Sequence, residues 1–132
     1  MDHESNWWKD IRHFTPQEFA SPDTGESAMR KELVALLDEA RGLAGVPFVI
    51  TSGFRSAAHN FRVGGVADSA HTRGLAADIA APDSLTRHAV VSGLMRAGFR
   101  RIGIGGNFVH ADVDMDKPWP CLWTYAAAGG GR

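Results

Sequence analysis

Apolar side chains recur every three or four positions between residues 28 and 44 of the chain. On an α-helix this spacing gathers them on one side, so the segment predicts a helix with one buried face. Ser27 is placed to cap the start of this helix, and Gly45 and Pro47 to end it. The buried stripe consists of Met29, Leu33, Leu36, Leu37, Ala40 and Leu43.

Two other segments have the features of helices. Residues 84–97 predict a second long helix, in which Ser84 is the capping residue and Gly98 closes the C-terminal end. Near the start of the chain, Thr15 followed by Pro16 predicts a capped helical turn.

Four short segments have the composition or the alternation of β-strands. They are Pro47–Ser52, Leu75–Ala81, Arg101–Ile104 and residues 108–114. The last two are joined by the turn at residues 105–107 and therefore predict a hairpin. This order of elements predicts an α+β domain, in which a small, mostly antiparallel sheet has its helices packed to one side.

One carboxylate interrupts the strand of small apolar residues at 75–81. Alternation puts Asp78 between two alanines on one face of the strand, and the small apolar residues around it indicate that this face is not exposed to water. A buried carboxylate is costly unless a charged group meets it. A metal ion would meet it, and His71, just before the strand, would join the same site. The other interpretation is an ion pair with an arginine such as Arg55 or Arg73.

A second polar cluster lies in the segment 108–114. Its valines and alanine suit a core, whereas His110 and Asp112 share the opposite face. His71, Asp78 and His110 together supply two imidazoles and one carboxylate. Three protein ligands with a fourth position left for water are typical of a catalytic zinc, so we predict a zinc site on the sheet. The alternative for His110 and Asp112 is an ordinary exposed strand edge.

The loop after the first predicted strand contains another candidate. Arg55 follows a buried strand and the turn at Gly53, which is a suitable place from which to enter a pocket. Ser56 is placed to cap a short helix that runs through Asn60. Loops between rigid elements commonly contain functional residues.

Composition narrows the class of protein. The chain has 132 residues, which indicates one domain, and its net charge of −1 with a pI near 6.6 argues against a nucleic-acid partner. The lone Cys121 excludes an internal disulfide and a cysteine metal site, and the bulky segment 119–123 around it is interpreted as packing. No apolar run approaches ~18 residues, so no membrane span is predicted.

The two ends differ from the middle of the chain. We expect an N-terminal arm at residues 1–13, a main domain at 14–125, and a low-complexity, disordered tail at 126–132. Trp7 and Trp8 are expected to anchor the arm to the domain; the alternative is that they contact a ligand. The polar, acidic start lacks the basic residues and apolar stretch of a secretory signal.

Several motifs together resemble one known family. The motifs are residues 52–56 (SGFRS), Asn60, residues 63–65 (VGG), residues 69–78 (SAHTRGLAAD), residues 103–105 (GIG) and residues 108–113 (FVHADV). They resemble the M15 metallopeptidases, above all the zinc D-Ala-D-Ala carboxypeptidases and the related peptidoglycan-cleaving phage endolysins. The resemblance runs from about Phe14 to Trp123, and we would name residues 14–125 an M15-like peptidase domain.

The resemblance implies a site and a reaction. Zinc would be held by His71, Asp78 and His110. Arg55 would polarise the scissile carbonyl or bind the substrate carboxylate, and Ser69 would contact the substrate. The reaction would be hydrolysis of a peptide bond in the stem peptides of bacterial peptidoglycan by a metal-activated water. The expected protein is a monomer, either cytoplasmic or released as a phage or prophage lysin.

One position departs from the family pattern. Several M15 enzymes place a carboxylate, the general base, three residues before the last histidine ligand, and here that residue is Asn107. Asp112 is the substitute candidate for the base, although it would alternatively orient a ligand. A non-catalytic, zinc-containing module that binds cell-wall peptides is therefore the second hypothesis. A structural domain without metal is the third.

Overall fold

The computed structural model describes residues 3–125 of the chain, and side chains from residue 6 onward. The predicted tail at 126–132 lies outside these residues. No helix in the described part is long and apolar enough to cross a membrane. The main elements are β1 Ile50–Ser52, β2 Ala76–Ala80, β3 Arg101–Ile104, β4 Phe108–Asp112 and β5 Cys121–Thr124, with α1 Lys31–Ala44, α2 Ala57–Arg62 and α3 Ser84–Ala97.

The strands form one sheet in the order β1-β2-β4-β3-β5. Every neighbouring pair is antiparallel except β3 and β5, which are parallel. The predicted α+β domain with a mostly antiparallel sheet is confirmed. The sequence interpretation missed β5, because residues 119–123 had been assigned to packing; the segment instead extends the sheet at its edge.

The hydrophobic core lies between one face of the sheet and the two long helices. Leu33 and Leu37 of α1 and Leu94 of α3 are fully buried, and they belong to the same cluster as Ile79 and Val109 of the sheet. Burying each such side chain contributes about 1.5–3 kcal/mol. The alternate residues of the strands, including Asp78 and His110, therefore lie on the other face.

Some predicted ends and caps of these elements were wrong. The first helix begins at Lys31 rather than at residue 28, and Ser27 does not cap it. The reason is that the chain before the helix runs across Gly74, where the Arg30 amide donates to the Gly74 carbonyl at 3.0 Å. The second long helix has the predicted bounds, Ser84–Ala97, but its capping residue is the neighbouring Asp83, whose carboxylate accepts from the Thr86 amide. The predicted strand Pro47–Ser52 is shortened to Ile50–Ser52.

The segment before Phe14 is held against the domain. The Trp7 and Trp8 rings stack with centroids 4.5 Å apart, and the Trp8 ring lies 5.8 Å from that of the buried Phe19. Asp38, on α1, accepts hydrogen bonds from the backbone amides of residues 12 and 13, at 3.0 and 2.8 Å. Packing and hydrogen bonds thus fix this segment from two sides.

Candidate metal centre

Two adjacent strands carry an acidic and an imidazole side chain face to face. In the β2–β4 pairing, Asp78 lies directly opposite His110. Alternation along each strand directs both side chains away from the core. They are nevertheless buried, with 2% and 8% of their surface exposed. A carboxylate and an imidazole are therefore held together in a site largely closed to solvent.

The second imidazole comes from a short 3₁₀ helix, Ala70–Arg73, just before β2. Ser69 caps this helix, since its hydroxyl accepts from the His71 amide at 3.2 Å. Gly74 ends it with a φ of 71°, and a Cβ there would lie 2.2 Å from the carbonyl oxygen of Ala28. Only glycine fits this close approach. The His71 ring lies 5.2 Å from the His110 ring.

The spacing of the candidate ligand atoms suits zinc. One ring nitrogen of His71, one of His110 and a carboxylate oxygen of Asp78 all lie within 4.8 Å of one another. Asp78 Oδ1 is 3.4 Å from His71 Nε2 and 2.9 Å from His110 Nδ1. Ligand atoms about 2.0–2.1 Å from a tetrahedral zinc are separated by about 3.3 Å. The three side chains therefore fit such an ion with little rearrangement.

The hydrogen bonds of His71 also favour a cation at this place. Its Nδ1 donates to the Gly53 carbonyl at 2.8 Å, so the proton of the neutral ring lies on Nδ1. Burial lowers the pKa of His71 despite the nearby Asp78 carboxylate, and the ring is therefore neutral. Its Nε2 lone pair then faces the Asp78 carboxylate, and two acceptors meet with no proton between them. A metal ion between them removes this repulsion.

His110 also directs a ring nitrogen at the Asp78 carboxylate. Its Nε2 donates to Asp112 Oδ2 at 2.7 Å, and its Nδ1 faces Asp78. Burial opposes protonation of His110, but the hydrogen bonds with Asp112 and Asp78 outweigh it and raise its pKa. A proton and a metal ion therefore compete for Nδ1.

Arg55 lies against the other oxygen of the carboxylate. Its terminal nitrogen is 3.7 Å from Asp78 Oδ2, so one of the two arginines considered from the sequence does approach Asp78. The other, Arg73, pairs with Asp114 instead. Burial alone would raise the pKa of Asp78, but the hydrogen bond from His110 and the closeness of His71 hold it well below its usual value. The carboxylate is thus ionised and available to a metal.

The Arg55 guanidinium is held in a fixed orientation. Its Nε donates to Ser52 Oγ and one terminal nitrogen donates to Asn60 Oδ1, both at 3.1 Å. Asn60 also donates to the Val66 carbonyl at 2.7 Å, which ties α2 to the following loop. A Cβ at Gly65 would lie 2.0 Å from Asn60 Oδ1, so only a glycine at position 65 leaves room for the Asn60 side chain.

Comparison with known protein families identifies the domain. The family model for peptidase M15 matches residues 12–113, which contain all of the candidate metal ligands. The chain belongs to the peptidase M15 family. M15 enzymes hydrolyse peptide bonds and are generally zinc-dependent. No match was found among the curated proteins.

In this M15 domain, Asp112 lies behind His110 rather than beside the ligand cluster. Its Oδ2 accepts from His110 Nε2, on the side of the ring away from Asp78, and its Oδ1 accepts from Arg101 Nε at 2.7 Å and from the Asp114 amide at 3.0 Å. Both oxygens are therefore engaged. Asn107, at the usual position of the base, lies exposed in the turn between β3 and β4. The geometry matches the orienting role considered for Asp112.

A cavity of about 220 Å³ opens beside the ligand cluster of the M15 domain. Every predicted site residue except Asp78 lines it. Four further charged or aromatic lining residues were missed from the sequence: Arg101, Lys117, Trp123 and Tyr125. A signal existed for the two aromatic residues, because residues 121–125 are rich in the aromatic and β-branched side chains that strands favour. No local signal connects Arg101 and Lys117 with the site.

Proposed function

We propose that this M15 peptidase is a zinc enzyme that hydrolyses peptide bonds in the stem peptides of bacterial peptidoglycan, as a D-Ala-D-Ala-type carboxypeptidase or as an endopeptidase. The observation that carries the zinc assignment is the meeting of two acceptors, the His71 Nε2 lone pair and the Asp78 carboxylate, in a buried site. The peptidoglycan substrate rests on the motif resemblance in the sequence.

The proposal gives each side chain a task. His71, Asp78 and His110 would hold the zinc, which when bound supplies a Lewis acid and lowers the pKa of a coordinated water. Arg55 lines the cavity with its guanidinium already oriented, and it would donate hydrogen bonds to the scissile carbonyl or to a substrate carboxylate. Ser69 lines the same cavity and would contact the peptide, besides capping the helix that carries His71.

We assign Asp112 to orientation of His110. It would keep the proton on Nε2 and so leave the Nδ1 lone pair for the metal, as carboxylate partners of ligating histidines commonly do. Arg101 in turn would hold the Asp112 carboxylate in place through the Nε–Oδ1 hydrogen bond of 2.7 Å.

A non-catalytic module that binds cell-wall peptides through the same zinc site is the second candidate. Within residues 3–125, Asp112 is the one carboxylate that lines the cavity, and both of its oxygens already accept hydrogen bonds. This feature favours the second candidate, because a general base needs a free acceptor near the attacking water. A structural domain without metal is the third.

Elemental analysis combined with digestion of purified peptidoglycan tests the three candidates. The proposal expects about one zinc per chain and fragments whose release stops when a chelator is added. His71→Ala should lose the metal and the activity, whereas His88→Ala, which changes an exposed histidine on α3, should keep both. Zinc without fragments would favour the binding module. A metal-free protein that takes up no zinc on titration would favour the structural domain.

A further inference from the structure

The edge strand β5 brings an indole ring over the sheet next to the candidate metal centre. In the parallel pairing of β3 and β5, Trp123 lies opposite Gly103. A Cβ on Gly103 would lie 2.7 Å from the indole, so the absence of a side chain there is what lets the ring pack on the sheet. Trp123 is half-buried and lines the cavity.

Neighbouring rings and charges fix the position of this indole. The His110 ring centroid is 5.6 Å from that of Trp123, and the Arg101 guanidinium lies 4.7 Å from the indole centroid. Such a cation–π contact holds the ring in one orientation. Tyr125 meets Trp123 edge to face at 6.2 Å and lines the same cavity. The two aromatic residues thus form a wall that begins beside His110.

The rest of the cavity differs in character from this wall. Arg55, Arg101 and Lys117 place three cationic groups along it, which suit the carboxylate and carbonyl oxygens of a peptide. The aromatic wall offers apolar surface instead. A volume of about 220 Å³ is smaller than the roughly 300–1,000 Å³ of most small-molecule sites, so peptide backbone in the cavity leaves room for a small side chain.

We propose that Trp123, with Tyr125 beside it, forms the subsite that holds the small aliphatic side chain of the substrate residue next to the scissile bond. The proposal rests on the proposed peptidase function and adds the residues that select the substrate. The closeness of the indole to the His110 ring places the contact next to the reacting bond. β5 lies beyond residues 12–113, so the family match does not assign this role.

The test uses the zinc-loaded protein and the synthetic peptide L-Ala-D-Glu-L-Lys-D-Ala-D-Ala. Two analogues replace one or the other terminal D-alanine by glycine. Affinity is taken from the indole N–H signals in nitrogen-15 NMR spectra, or from KM where a peptide is cleaved. The Trp123 signal should shift on titration, and one of the glycine analogues should bind about fourfold more weakly, the effect of one buried methyl group.

Three variants complete the test. Trp123→Ala should weaken binding of the parent peptide by about 10-fold and abolish the preference for alanine over glycine, while the zinc content stays at about one per chain. Trp123→Leu keeps apolar contact on Gly103 and should restore part of the affinity, which also covers the case in which the alanine variant is unstable. Trp119→Ala, which removes an exposed tryptophan outside the cavity, should bind as the parent protein does.

Two results would overturn the subsite, and they differ from each other. If the peptides bind but Trp123→Ala leaves both affinity and the alanine preference unchanged, the subsite is wrong while the peptidase proposal stands. If the parent protein binds none of the peptides and releases no fragment from peptidoglycan, the proposed function fails and the subsite fails with it.

Discussion

Replacing Asp112 by asparagine should weaken metal binding, and the contacts of this carboxylate give the reason. Its two oxygens accept from donors on both sides, His110 Nε2 and Arg101 Nε, each at 2.7 Å. An asparagine of the same shape has one oxygen and one NH₂ group, so it satisfies only one of these donors. If the NH₂ group faces His110, the ring must move its proton to Nδ1 and loses the lone pair directed at the metal site.

The expected loss of zinc affinity follows from what is typical of carboxylates that accept a hydrogen bond from a metal-ligating histidine. Loss of a carboxylate behind a ligating histidine typically costs 10–100-fold in metal affinity, which corresponds to about 1.4–2.8 kcal/mol. The measurement is a competition titration of zinc between the protein and a chromophoric chelator at neutral pH. Asp116→Asn is the matched control: it makes the same charge change four residues away on a side chain that is 92% exposed, and it should leave zinc affinity unchanged.

One outcome would refute the orienting role. If Asp112→Asn binds zinc as tightly as the parent protein while turnover at saturating zinc falls by about 100-fold or more, Asp112 acts in the chemical step as the general base. The structure would then have to rearrange on substrate binding, because at present both oxygens are engaged. Arg101→Gln separates the cases further: it should weaken zinc binding if Asp112 needs to be held in place.

Other side chains give independent predictions. Arg55→Ala should keep zinc and lower kcat/KM by about 100-fold, the cost of one preorganised donor; loss of zinc instead would contradict its assignment. Asp38→Ala should lower the free energy of unfolding in urea by about 1–3 kcal/mol, because two amides lose their acceptor, whereas the exposed Glu39→Ala should change it by less than about 0.5 kcal/mol. Hydrogen bonds from two serine hydroxyls lower the pKa of Asp23 from 3.8 to about 2. The parent protein should therefore have a higher free energy of unfolding than Asp23→Asn at neutral pH. This difference should disappear as the pH falls from about 4 to about 2, and a difference independent of pH would contradict the prediction.

The parts of the site that were predictable depend on short-range periodicity. Alternation along a strand is fixed by backbone geometry, so the faces of Asp78, His110 and Asp112 could be predicted without knowing their partners. Helical periodicity likewise predicted part of the core stripe of the first long helix: Leu33, Leu37 and Ala40 are fully buried, whereas Leu43 is exposed. What a pattern of this kind cannot supply is the neighbour across space. The contact of Arg101 with Asp112 depends on the β3–β4 register, and nothing within either segment encodes it.

The start of the first helix shows the same limit. Residues 28–30 have helical spacing, but the amide of Arg30 donates to the Gly74 carbonyl, more than forty positions away. A tertiary hydrogen bond of this kind overrides a local preference worth only fractions of a kcal/mol per residue. The same crossing requires glycine at position 74, so one contact both shortens α1 and shapes the turn after His71.

Predicting the role of β5 requires two features that lie apart in the sequence to be combined. The aromatic and β-branched residues at 121–125 indicate a strand. Gly103 has no side chain, and it lies in a strand next to the one that carries His110. Neither feature alone assigns a role to Trp123. The parallel register joins them, because it sets the indole over the glycine and beside His110. An aromatic residue on an edge strand thus becomes part of the cavity wall only when the pairing is known, and this is why the sequence interpretation assigned it to packing.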